Sequence, residues 1–219
     1  MLRVEGLTRR PTFENISFAL YAGEIVGIAG LVGSGRTALV RSLFGLDAPD
    51  SGSIFVNGRR ATIRSPRDAV ALGIGLLPEN RHEQALLLDM TARENITLAQ
   101  LSRAGALISQ QAEHQLVNQY IQRLRIKMPN PEAKTRYLSG RTQQKIILSR
   151  WLAVHPRILI FDEPTQGIDV GSKIEIYRLL GEFASQGNAI LMISSEFAEI
   201  VGLCDRAFVL RAGRISDDT

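Results

Sequence analysis

The stretch EIVGIAGLVGSGRTALVRSLF, residues 24–44, decides the fold. An apolar run at 25–29 reads as a buried strand, residues 30–35 as a glycine-rich turn, and the residues after it as a helix. Within it, GLVGSGRT at 30–37 meets the phosphate-loop pattern G-x-x-x-x-G-K-[ST] at every fixed position but one: Arg36 stands where lysine belongs. Such a loop binds phosphate by geometry. Backbone amides point inward, and the helix that follows adds partial positive charge at its N-terminus. The candidate nucleotide-binding set is therefore Gly30, Leu31, Val32, Gly33, Ser34, Gly35, Arg36 and Thr37, with Ala38 left without a role. The Thr37 hydroxyl is the candidate Mg²⁺ ligand. Arg36 keeps the positive charge, but a planar fork cannot place it where an ammonium would.

A second stretch completes the chemistry. RILIFDEPT at 157–165 is an apolar strand running into Asp162 and Glu163, the place where ligand chemistry collects in parallel sheets. Asp162 is the candidate metal carboxylate and Glu163 the candidate general base that polarises a water.

Between these anchors the chain alternates. Strands are expected at 2–7, 15–20 and 53–58, the last closed by Asn57-Gly58, a hairpin signal. Ser65, Pro66 and Asp68 open a helix over 65–72, Asp68 being placed to answer the cap's amide. A buried strand follows at 74–78, and ENRHEQ at 79–84 reads as a loop. Thr91 and Glu94 repeat the capping pattern, and 109–126 is polar and helical, with Leu116, Tyr120 and Leu124 at helix spacing. Residues 80–137 thus read as a helical subdomain inserted into the core. The last third is α/β: a helix after LSG at 138–140, the strand at 157–161, an amphipathic helix over 172–186 with Ile176, Leu180 and Phe183 on one stripe, a strand at 189–194, a short helix from 196 to 204, and a terminal hairpin from 206. The fold class is α/β: a mostly parallel core sheet of the P-loop NTPase kind, an antiparallel N-terminal sheet and the helical insert, in one domain over 1–219.

Composition narrows the function classes. Aromatics are 6% of 219 residues, too few for extended base-stacking platforms. The net charge of +4 is spread in short pairs such as Arg9-Arg10, so nucleic acid is not an expected partner. One cysteine, Cys204, excludes an internal disulfide. No run reaches about 18 apolar residues, and the first residues lack the long apolar run of a secretory leader.

Taken in order, GLVGSGRT, LSGRTQQK, FDEPT, GIDVG and ISSE resemble the nucleotide-binding cassette of ATP-binding cassette transporters. They are most similar to the second cassette of the tandem ATPases of bacterial monosaccharide importers and of the related autoinducer-2 importer. That group typically carries GLxGAGRT, a PED-R segment, LSGGNQQK, DEPTRGVDVG and SSE. The resemblance implies ATP and Mg²⁺ as ligands and ATP hydrolysis that energises import of a sugar or sugar-like solute. It also implies a partner cassette, two transmembrane permease subunits and, indirectly, a periplasmic solute-binding protein, at the cytoplasmic face of the bacterial inner membrane. By it, residues 1–219 are expected to be one half of a tandem chain.

The resemblance assigns further residues. Ser139 and Gly140 match the signature that closes over the partner's γ-phosphate, and Arg141 replaces its second glycine. Glu79 matches the position, usually glutamine, that touches Mg²⁺ and water. Asp169 is central in the loop that crosses the dimer. Ser195 stands for the switch histidine, and none of His82, His114 or His155 replaces it; His155 reads as a loop histidine. Phe13 and Arg10 are the candidates to stack on adenine. Arg36 and Ser195 together imply weak or no turnover at this chain's own loop. Two other readings stay open: a cassette with a regulatory or structural role, and a soluble ATPase without a permease.

Overall fold

The computed structural model describes residues 1–104, 109–166 and 170–216. Among the described residues, ten strands form two sheets. In the first, β2 (Phe13–Leu20), β1 (Leu2–Arg9), β4 (Ser51–Val56) and β5 (Arg59–Ala61) lie side by side in that order, every pair antiparallel. Asn57 and Gly58 make the two-residue link from β4 to β5, both with positive φ (51° and 78°), the conformation that Asn-Gly favours.

The second sheet has the order β10-β9-β3-β8-β7-β6, with β3 at Ile25–Ala29, β6 at Ile74–Leu77, β7 at Ile158–Asp162, β8 at Ala189–Ser194, β9 at Arg206–Arg211 and β10 at Arg214–Ser216. All neighbours are parallel except the edge pair β9–β10. Every residue of β3, β6, β7 and β8 is buried. That is why these strands read as continuous apolar runs: both faces are covered.

Side-chain alternation sorts the sheet into two cores. Ile158, Ile160, Leu191 and Ile193 face the antiparallel sheet and helix α1 (Arg36–Leu43), sharing a cluster with Leu2, Val4, Phe13, Ile16, Leu39 and Leu43. Leu159, Phe161, Ile190 and Met192 face the other way, toward α5 (Gly140–Leu152) and α6 (Val170–Ser185), meeting Ile146, Ile147, Ile176, Leu180 and Phe183. The stripe expected on α6 is buried as read. Ile16, Phe18 and Leu20 are likewise buried on one face of β2.

The remaining helices are α2 (Pro66–Ala71), α3 (Ala92–Ala104), α4 (Gln110–Arg123) and α7 (Phe197–Leu203). Their starts follow side-chain chemistry. At α2, Ser65 accepts from the Asp68 amide, while Asp68 accepts from the Arg64 amide at 2.9 Å and the Ser65 hydroxyl at 3.0 Å. The acid thus answers the amide one residue before the cap, not the cap's own. At α3, Thr91 and Glu94 form a reciprocal capping box, with N–H···O distances of 2.8 and 3.1 Å. The segment expected as a loop at 79–84 is instead partly a single wide helical turn, Arg81–Ala85, capped by the Asn80 side chain, which accepts from the His82 and Glu83 amides. One isolated turn buries no residue, so it leaves no apolar periodicity to read.

Candidate nucleotide site

The site gathers where three carboxyl ends of parallel strands meet. The loop of residues 30–35 follows β3, Asp162 ends β7 with Glu163 just after it, and Ser195 follows β8. A cleft of about 600 Å³ lies over them, lined by Val32, Gly33, Gly35, Arg36, Thr37, Glu79, Glu163, Gln166 and Ser195, with Pro11, Thr12, Ala212 and Gly213 on its far wall. The predicted catalytic residues Glu163, Glu79 and Ser195 therefore share one cavity with most of the predicted phosphate loop.

The loop's shape depends on glycine at one close approach above all. Gly35 has φ 102°, and a Cβ there would stand 2.5 Å from the Thr12 carbonyl oxygen. Only glycine relieves both strain and clash. The carbonyl of Ser34 accepts from the Gly213 amide at 2.9 Å, which ties the loop to the β9–β10 turn. Leu31 and Val32 stand out from the loop, 84% and 91% exposed, and with Phe197 wall a neighbouring apolar hollow that also holds Gly30 and Ser34.

The buried polar groups are unequally satisfied. Arg36 Nη2 lies 3.1 Å from Glu163 Oε1. Ser195 Oγ donates to Glu163 Oε2 at 3.1 Å. Glu163 itself has φ 50°, rare outside glycine, and its amide donates to the Ile193 carbonyl at 2.9 Å. Arg36 Nη1, Asp162 Oδ1 and Ser34 Oγ are buried and find no partner among the described residues. Burial pushes the Asp162 carboxyl up to about 6; the Thr37 hydroxyl bonded to it works against that, and the charges of Glu79 and Glu163 add to it.

These features fit Mg²⁺ and a polyphosphate. Mg²⁺ keeps most of its waters and asks for one or two protein oxygens beside the phosphates. Thr37 and Asp162 are residues that could supply them, Asp162 having one oxygen without a partner among the described residues. No cluster of three or more His, Cys, Asp or Glu able to hold a metal occurs among the described residues.

The family model for ABC transporters matches residues 13–166, from β2 through the strand that carries Asp162 and on to Gln166. The chain belongs to the ABC transporter family. Among curated relatives, it is 46% identical over 220 aligned residues to the ribose import ATP-binding protein RbsA of Bacillus licheniformis, covering 100% of this chain and 45% of that protein. It is 47% identical to the RbsA of Pseudomonas putida, covering 99% and 43%. It is also 47% identical to a putative ribose/galactose/methyl galactoside import ATP-binding protein of Rhizobium etli, covering 100% and 42%. The chain thus spans less than half the length of these curated relatives. Among solved structures, a dimeric ATP-binding cassette in a post-hydrolysis state with ADP and Pi superposes with a TM-score of 0.85 at 20% identity, over 99% of this chain and 97% of that one. That likeness carries the ABC cassette fold.

Within the cassette, several predicted residues lie apart from the cleft. Ser139 caps α5, accepting from the Thr142 amide, and neither Ser139 nor Gly140 lines the cleft. Arg141, the departure from the signature, is ion-paired with Glu175 on α6, where Lys145 also bonds at 2.8 Å. The arginine is thereby drawn back onto its own chain. Phe13 cannot stack on a base: it is 2% exposed, inside the core shared by the two sheets. Arg10 is exposed but engaged, its amide with Asp50 and its guanidinium with Glu14. Pro11 and Thr12, between them, are the residues of that loop on the cleft wall. His155 is exposed in the loop after α5, as read. Asp169 lies outside the described residues.

Two features of the cassette escaped the sequence reading. Arg81 lays its guanidinium against Gly140, where an added Cβ would stand 2.9 Å from Nη2, and so joins the turn after Glu79 to the start of α5. Glu199, buried on α7, accepts from Thr165, from Tyr177 at 2.6 Å, Ser194 at 2.7 Å and Lys173 at 3.2 Å. It binds together the segments that carry Glu163 and Ser195. Burial pushes its carboxyl up, but these four hydrogen bonds outweigh that and hold it below the ordinary range. Arg81 closes the LPENR run at 77–81 that matches the PED-R segment, but its contact with Gly140, like the partners of Glu199, lies far away in sequence.

Proposed function

We propose that this cassette binds Mg-ATP in the cleft and is an ATPase component of an importer for a sugar or sugar-like solute. The observation that carries the reading is the meeting of a phosphate loop and Glu163 in one cleft, whose Thr37 also bonds the buried Asp162, a carboxylate with one oxygen unpaired among the described residues. The names of the relatives support the solute class: they are import ATP-binding proteins for ribose or for ribose and galactosides. Residues 33–37 present backbone amides and the α1 N-terminus to the phosphates. Thr37 and Asp162 would hold Mg²⁺, which would supply positive charge against the phosphates. Glu163 orients the water that attacks the γ-phosphate, and Arg36 balances the charge that spreads in the transition state.

The rest of the transporter is supplied by partners. Ser139 and Gly140 lie at the start of α5, away from this chain's own cleft, so in this reading they serve a nucleotide held by a second cassette. Two transmembrane permease subunits and, beyond them, a periplasmic solute-binding protein complete the assembly, with the cassette on the cytoplasmic face. No helix among the described residues is long and apolar enough to cross a membrane, in keeping with a peripheral place. The Arg36–Glu163 pair favours a second reading alongside the first: the cassette binds ATP and turns it over slowly, acting as a regulatory half.

The experiment is an ATPase assay of the chain alone and with its partner cassette, beside calorimetric titration with Mg-ATP. Binding with turnover that Glu163→Gln abolishes supports the enzyme; binding with negligible turnover in both settings leaves the regulatory half; no binding ends both.

A further inference from the structure

Both carboxylate oxygens of Glu163 are already held by this chain's own groups. Arg36 Nη2 takes Oε1 and the Ser195 hydroxyl takes Oε2, each at 3.1 Å. These two holders are the two positions at which the sequence departs from lysine and histidine. The Arg36 and Glu163 side chains are only 8% and 10% exposed, so solvent screens the pair poorly. The Glu163 backbone is pinned as well, by its amide bond to Ile193. A carboxylate held at both oxygens is fixed in orientation by this chain's own groups before any ligand arrives. Arg36, meanwhile, has a second arm: Nη1 is buried and finds no partner among the described residues, on a side chain that lines the cleft. A buried guanidinium with one arm paired and one orphaned is poised for a second anion.

We propose that Arg36 and Ser195 form a latch on Glu163, and that the terminal phosphate of a nucleoside triphosphate opens it by drawing Arg36 away. The inference rests on the nucleotide reading above. The residue at this loop position reaches the β- and γ-phosphates, and only the γ-phosphate brings charge up to Glu163. Triphosphate and Glu163 therefore compete for one guanidinium, which makes Arg36 a positioning residue for Glu163. A lysine would have to share a single nitrogen between Glu163 and the phosphate, where the guanidinium offers two separate ones. The competition is a linkage: whatever weakens the latch strengthens triphosphate binding, by no more than the same factor.

The test is calorimetric titration of the chain in Mg²⁺ with the β,γ-imido analogue of ATP and, separately, with ADP. Glu163→Gln is expected to tighten the analogue about tenfold and ADP by less than about threefold, the scale of a hydrogen bond to a charged group. In an Arg36→Met background the same change is expected to gain less than about threefold. Direct repulsion between Glu163 and the triphosphate would preserve the tenfold gain in that background and overturn the latch. So would an unchanged analogue affinity in Glu163→Gln alone. Ser195→Ala, at an exposed position, is expected to gain about twofold, and no more when added to Glu163→Gln. If Arg36→Met does not fold, that pair decides: additive gains overturn the proposal. Wild-type chain that binds neither nucleotide sinks the nucleotide reading and the latch together; wild-type binding without coupling sinks the latch alone.

Discussion

At the residue scale, Asp162 shows how a site can cost stability. Its carboxyl rests at about 6 in the folded chain against 3.8 ordinarily, chiefly because burial disfavours the charge. The folded state therefore holds its proton more tightly than the unfolded chain does between those values. Stability falls as pH rises through that window, and the cost is fully present above about 6. Asp162→Asn removes the charge and keeps an acceptor for Thr37. It is expected to stabilise the nucleotide-free chain at pH 8 by about 2 kcal/mol, a rise in Tm of roughly 4–8 °C. Near pH 4 the gain should vanish, and at pH 8 the variant should lose Mg²⁺-dependent nucleotide affinity. Thermal melts with and without Mg²⁺ at both pH values check this; a variant less stable than wild type at pH 8 contradicts it. Glu199 makes the opposite case. Its four donors hold it ionised, and Glu199→Leu would strand Thr165, Tyr177, Ser194 and Lys173 without their acceptor. A loss of about 3–5 kcal/mol is expected in denaturant titration, against clearly less for Glu199→Gln, which still accepts.

At the element scale, the secondary structure answers to local chemistry that is mostly written in the residues themselves. The capping box at α3 is an example: Thr91 and Glu94 satisfy two amides that the helix leaves open. Thr91→Ala is expected to lower stability by about 1 kcal/mol, and Glu94→Ala by a similar amount, with the pair less than additive. A double-mutant cycle by urea titration measures it, and strict additivity would mean the two bonds do not act together. The turn at Arg81–Ala85 was harder to see because its signal is one capping asparagine rather than a pattern. The fate of Arg141 could not be read locally at all. Its position after LSG says only that glycine is missing; Glu175, thirty-four residues on, decides where the guanidinium goes.

At the scale of the whole molecule, the two sheets are joined by one shared core, and the second core joins the parallel sheet to the helices. Long-range pairs reinforce the join: Arg206 on β9 binds Glu24 and the Ala19 carbonyl of β2. Chain segments so interlocked should unfold as a unit, with a single calorimetric transition. Mg-ADP at about a hundred times its dissociation constant should raise stability by about 2.7 kcal/mol, because only the folded state has the cleft. That predicts a rise in Tm of roughly 5–10 °C. Two separate transitions, with the nucleotide moving only one, would show that the cleft belongs to a part of the chain that folds alone.

What the sequence determined by itself is what short-range chemistry can specify. Alternation and apolar runs marked both sheets, glycine spacing marked the phosphate loop, and an apolar strand ending in Asp162 and Glu163 marked the second half of the site. Each of these depends on neighbours within a few residues, so one chain suffices to read it. Tertiary structure alone decided which groups satisfy which. It buried Phe13 and left Pro11 and Thr12 on the cleft wall, turned Arg141 onto Glu175, brought Arg81 against Gly140, and closed Arg36 and Ser195 on Glu163 from opposite sides. The physical reason is that charge pairing and burial are set by distance in space, and Glu163 meets its two holders only after β3, β7 and β8 have aligned their carboxyl ends in one sheet.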